Sequence, residues 1–207
     1  MKYLFPFLLV LLFAACNTVD LQKKAEAKKY SDYLEKVFDP VLDEVNDFIQ
    51  FNVPLVKQIV NGAVSQSNVQ QYNQRLAKIK TLVSLSQKAI AAAPEFDKEI
   101  QYKTACVHYL EVCEDVSANE FLRMQEALSD TAQQNEDSWV DYGAQLLSAW
   151  KKVLNAENHL KAEAKAFNKK YKIKPAKDYK TNPDEFKASY EQVSDAYQEA
   201  RRNNSAH

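Results

Sequence analysis

The residues best equipped for covalent or metal chemistry in this 207-residue chain are three cysteines and three histidines. Cys106 and Cys113 stand seven apart, which on one helix puts them on nearly the same face but about 10.5 Å apart. That is too far for a disulfide between them, and they read as small apolar groups for a core. His108 faces about 160° away from Cys106 on a helical wheel, so the two do not converge as ligands. His108 with Glu111, and His159 with Glu163, are at helical spacing and read as polar pairs on a helix surface. The third histidine is the terminal His207. Di-iron bundles need inward glutamates and paired Glu-x-x-His motifs. Covalent haem needs Cys-x-x-Cys-His, phosphate loops a glycine-rich turn, and zinc peptidases His-Glu-x-x-His. None of these occurs in the sequence. The expectation is therefore a protein that is not an enzyme, with no catalytic residue, no metal and no cofactor. A periplasmic helical enzyme or metal-handling protein is the rival, since convergent sites need not leave linear motifs.

Charge and aromatic spacing offer binding chemistry instead. Lys161, Lys165, Lys169, Lys170, Lys172, Lys174, Lys177 and Lys180 crowd one stretch, with Glu163 and Asp178 the acidic residues among them, and Lys23, Lys24, Lys28 and Lys29 form a second basic cluster. Cations at a helix C-terminus complement its dipole, which accounts structurally for the first cluster. The second, at a helix start, is better suited to a flexible tether or to anionic lipid head groups. Glu120, Glu126, Asp130, Glu136, Asp137 and Asp141 are assigned to an acidic opposite end. Trp139, Tyr142 and Trp150 share a helical face. They are read first as core and second as an aromatic groove for a peptide, glycan or lipid.

The elements that must position these residues are helices. Two glycines in the whole chain suit helices and would not serve a sheet with tight turns. Tyr30, Leu34, Val37, Val41, Val45, Phe48, Leu55 and Ile59 mark one apolar stripe with a gap near Asn52. Pro40 and Pro54 lie inside that stripe without changing its phase, so it predicts one long kinked helix, or two collinear ones with Asp39 as a cap, ending at Gly62. A second helix begins at a capping box of Ser67 and Gln70 and stops near Pro94. A third, from Phe96 to about Ser129, carries both cysteines. A fourth runs through Trp139, Leu146, Trp150 and Phe167 toward Pro175, with Thr131 and Gln134 as a capping pair. Asn182 and Pro183 signal a short fifth helix with Phe186, Tyr190, Val193 and Tyr197 on one face.

At the N-terminus, Lys2, the apolar run Leu4 to Phe13 and the small residues Ala14 and Ala15 form a three-part export signal, too short to span a bilayer. Cys16 follows. Phe13-Ala14-Ala15-Cys16 resembles the lipobox of bacterial lipoproteins, with Phe13 where leucine is usual. The resemblance covers residues 1–17 and implies that Cys16 is lipidated and becomes the mature N-terminus. Asn17 after the cysteine, rather than aspartate, implies transfer to the outer membrane. Lys2 is the one charged residue of the leader, so its removal leaves 26 basic against 28 acidic residues, a formal charge of −2. Such a balance gives no global attraction to nucleic acid.

The expectation is an all-α protein: a lipoprotein signal peptide at 1–15, a lipidated tether at 16–29, and an up-down-up-down bundle of four long helices at 30–174. A linker, the short helix and a frayed tail fill 175–207. In that topology the two lysine clusters meet at the tethered end. The whole resembles all-helical surface lipoproteins of Gram-negative bacteria, which implies a lipid-anchored binding or structural module at the outer membrane; a peptide, glycan or protein is the ligand class considered for it. Which face of the membrane it occupies is open.

Overall fold

The computed structural model describes residues 4–60, 64–129 and 136–175, with 191, 194, 195, 198 and 202 beyond them; side chains are described from Asp20 on, apart from 57, 59, 60 and 136–139. The described residues hold helices α1 (Leu4–Val60), α2 (Gln66–Ala92), α3 (Tyr102–Ala118), α4 (Glu120–Ser129) and α5 (Glu136–Lys170), and no strand. The all-α class read from composition and periodicity is therefore correct. Among the described residues no helix is long and apolar enough to cross a membrane.

Contact registers establish the direction of every helix. Tyr33, Glu44 and Phe48 of α1 meet Ala89, Lys78 and Tyr72 of α2, so α2 runs back along α1. Tyr72 and Asn73 of α2 bond Phe121 and Gln125, and Gln87 bonds Glu114, so α3 and α4 together run back along α2. Gln101, Asp115 and Glu120 meet Glu163, Lys152 and Ser148 of α5. Ser31 and Asn52 of α1 meet Asn168 and Tyr142, which closes the ring up-down-up-down. Across its diagonals α1 approaches α3, while among the described residues α2 and α5 stay apart.

The apolar stripes fill the interior. Leu34, Val41, Val45 and Phe48 of α1, Tyr72 to Ile90 of α2, Cys106 to Leu128 of α3 and α4, and Leu146 to Phe167 of α5 supply one continuous core. The gap at Asn52 is a buried polar link: its Nδ2 donates to the Phe48 carbonyl at 2.7 Å, and its Oδ1 accepts from the Tyr142 hydroxyl. Both prolines are inside α1 and exposed. Pro40 cannot donate to the preceding turn, and just there Ser86 of α2 donates to the Val37 carbonyl at 2.8 Å.

Four boundaries differ from expectation. The box that starts α2 is Ser65 with Asn68, two residues before the expected Ser67 and Gln70; Asn68 N–H donates to Ser65 Oγ, and Asn68 Oδ1 accepts from Ser65 N–H. Asparagine answers the cap as glutamine would, outside the Ser/Thr-x-x-Glu/Gln pattern that marks such a box in sequence. The third arm begins at Tyr102, because Asp97 accepts from the Glu99 N–H and holds residues after Pro94 in a loop. Phe96 and Ile100 still pack inward from that loop, which is why their spacing resembled a helix. Asn119, with φ −113° and ψ −80°, then breaks the arm into α3 and α4. Residues 16–29, expected as a tether, continue α1, and those from Asp20 to Glu26 are exposed before the core begins at Ala27. Gly62, the Thr131 and Gln134 pair, Asp130, and the cap and apolar face of the fifth helix lie outside the described residues; Glu191, Ser194, Asp195, Gln198 and Arg202 are helical.

Candidate functional site

The end of the bundle where α1 enters and α5 leaves carries the densest set of chemically distinctive side chains. Tyr171, one residue past α5, is its centre. Its ring packs on Phe167 and Phe96, at centroid distances of 4.8 Å and 5.4 Å, and its hydroxyl donates to Asp97 Oδ2 at 2.7 Å. Burial and that bond raise the hydroxyl's pKa, so it stays a donor at neutral pH. Lys23, on the exposed stretch of α1 from Asp20 to Glu26, holds its ammonium 5.8 Å from the centre of the same ring.

Lys170 ends α5 and bridges Asp97 at 2.7 Å and Glu99 at 2.8 Å. Partial burial would raise the Asp97 carboxyl, but bonds from Lys170, Tyr171 and the Glu99 N–H outweigh it and hold the pKa at about 2. The same two carboxylates push the Lys170 ammonium upward. The chain then leaves α5 through a Schellman turn, with Ile173 N–H donating to the Asn168 carbonyl and Lys172 N–H to that of Lys169. Lys172 takes the left-handed conformation, φ 52°, that this turn requires and glycine adopts most freely.

Between these groups lies a cleft of about 650 Å³ lined by Asp20, Leu21, Lys23, Lys24, Lys170, Tyr171 and Lys172. The two basic clusters, 148 residues apart from Lys24 to Lys172 in sequence, therefore do meet. Not all of their members are free cations. Lys170 is neutralised by Asp97 and Glu99, and Lys28 pairs with Asp32. Lys161 pairs with Glu157. Lys24, Lys29, Lys169, Lys172 and Lys174 are exposed. The acidic partners of Lys170 escaped sequence reasoning because they sit on the loop between α2 and α3, far away along the chain. The alternation of Glu95, Asp97 and Glu99 just after Pro94 was the available signal, since the topology puts that loop at the same end.

The other sequence candidates are structural. Tyr142 and Trp150 are fully buried, as the core reading had it, and neither offers a ring to a groove; the Trp139 side chain lies outside the described residues. Cys106 and Cys113 are buried and free. Burial pushes both thiols up, Cys113 to about 12. His108 and His159 meet each other across α3 and α5, ring centres 6.3 Å apart, while Glu163 accepts from the Gln101 N–H. Among the described residues no group of three metal-ligating side chains converges. Glu120, assigned to the acidic end, is buried at the start of α4 and pairs with Lys152 at 2.8 Å. No family model, no curated protein and no solved structure matches the chain.

Proposed function

We propose that this protein is a lipid-anchored helical module of the bacterial outer membrane, attached through Cys16, standing with its basic end toward the bilayer and acting as a binding or structural element. The supporting observation is the junction of Lys23 and Lys24 with Lys172 in one cleft, only seven residues of α1 beyond Cys16. Seven helical residues span about 10 Å. A lipid at Cys16 would hold that cleft against the head-group layer, where each lysine gains about 1 kcal/mol from an anionic surface. The far end of the bundle would then point away from that leaflet.

Cell fractionation tests the anchor. Wild-type protein should pellet with membranes and carry a mass increment for acyl chains on Cys16, and Cys16→Ser should be released. A mutant that still pellets and is processed alike refutes lipidation. Orientation is tested on the chain from Asn17 onward, which keeps every described core residue, the first being Ala27. It should sediment with vesicles containing anionic lipid at low salt and release them as screening shortens to about 10 Å at 0.1 M salt. Indifference to anionic vesicles at low salt would refute the orientation.

A further inference from the structure

We propose that the cleft between residues 20–24 of α1 and the exit of α5 binds the phosphate of a phospholipid head group, held by the ammonium groups of Lys23, Lys24 and Lys172. This rests on the basic end facing the bilayer and adds a defined site to it. Among the described residues none of these three lysines has a carboxylate within ion-pair distance, whereas Lys170 beside them is tied to Asp97 and Glu99. Among the described lining residues outside the Lys170 bridge, three cations thus accompany one carboxylate, Asp20, on the same helix as Lys23 and Lys24. Three is more than a single phosphodiester charge needs for neutralisation.

The remaining lining is amphiphilic in the way a head group is. Leu21 is 65% exposed on a part of α1 that overhangs the core, a place where an apolar residue gains nothing from burial in the protein. The Tyr171 ring, fixed by Phe96, Phe167 and Asp97, forms a rigid wall. Both suit the glycerol and first acyl carbons next to a phosphate. The volume, about 650 Å³, falls within the range of small-molecule sites, roughly 300–1,000 Å³.

Lys172 supplies a second line of reasoning. The C′ position of a Schellman turn favours glycine, because a side chain in the left-handed region crowds its own backbone. A lysine there is the less stable choice for the fold, and the turn aims its position at the cleft. Stability and binding should therefore move in opposite directions on mutation. That separates a binding residue from a structural one.

The test uses the full chain in neutral detergent, titrated by calorimetry with dihexanoyl phosphatidylglycerol and, separately, with inorganic phosphate. The lipid should bind saturably and more tightly than inorganic phosphate. Combined Lys23→Gln, Lys24→Gln and Lys172→Gln should weaken it at least about tenfold, while Lys165→Gln, Lys169→Gln and Lys174→Gln, which remove equal charge from the same end outside the cleft, should stay within about threefold. Lys172→Gly should weaken binding while leaving the thermal midpoint equal or higher. Equal losses in the two triple variants overturn the cleft yet leave membrane orientation standing, because anionic vesicles would still bind the wild type. Inorganic phosphate binding as tightly as the lipid overturns the head-group assignment. A Lys172→Gly protein that keeps full affinity overturns the role of that lysine.

Discussion

Replacing Tyr142 by phenylalanine removes one hydroxyl from the register on which the whole site depends. That hydroxyl donates to Asn52 Oδ1, and both residues are fully buried. Asn52 would keep its bond to the Phe48 carbonyl and lose its other partner. An unsatisfied buried acceptor costs about 1–3 kcal/mol. Asn52→Leu strands the Tyr142 hydroxyl instead, at a similar cost, and the double variant strands neither. The two single losses should therefore exceed the double loss by about 1 kcal/mol or more, against the 0.3–0.5 kcal/mol, roughly, within which independent sites add. The assay is urea denaturation followed by helical circular dichroism, with the denaturant slope confirming comparable unfolding. The functional stake lies at the other end of the same pair of helices. From Asn52 back to Lys23 and from Tyr142 forward to Tyr171 are both 29 residues, about 43 Å of helix each, so one register sets both contacts. Strict additivity, or a Tyr142→Phe cost below about 0.5 kcal/mol, would refute the pairing and with it the geometry that brings Lys23 to Tyr171.

Leu146→Ala, at a fully buried position of α5, should cost about 2–5 kcal/mol in the same denaturation assay. Ser65→Ala should cost about 1 kcal/mol and Ser67→Ala much less, because the capping box belongs to Ser65. Cys106 and Cys113 should resist thiol reagents in the native chain from Asn17 and react fully after unfolding, given their burial and raised pKa values. Asp97 is held at about 2 against its usual 3.8, so the fold favours its ionised form: its contribution is complete above about pH 4 and fades as pH falls toward about 2. Asp97→Asn should lose stability at neutral pH and show a shallower fall across that window in urea midpoints.

Much of this architecture was legible from apolar spacing alone, because burial on one stripe leaves a periodic trace. Tyr30, Leu34, Val41 and Phe48 were placed inward by steps of three and four, and the structure buries them. The trace fails where local backbone chemistry decides. Phe96 and Ile100 keep the helical step inside a loop held by the Asp97 side chain, and Asn119 interrupts an arm whose apolar phase runs on unbroken. At the candidate site the meeting of Lys23 and Lys24 with Lys172 followed from helix order. The neutralisation of Lys170 did not, since Asp97 and Glu99 approach it from a different loop and leave no periodic signal on α5. The His108 and His159 contact leaves no sequence trace for the same reason, since each histidine has a glutamate at helical spacing on its own helix.

The orientation of the anchored protein is best measured by nitroxide labels on Lys174→Cys and, separately, Glu126→Cys, both exposed positions, in lipidated protein reconstituted into anionic vesicles. The buried thiols of Cys106 and Cys113 should not compete for the label. Relaxation by a nickel chelate carried on lipid head groups then reports which end faces the bilayer. The account predicts strong relaxation at position 174 and little at 126; equal relaxation at both, or stronger relaxation at 126, would contradict it.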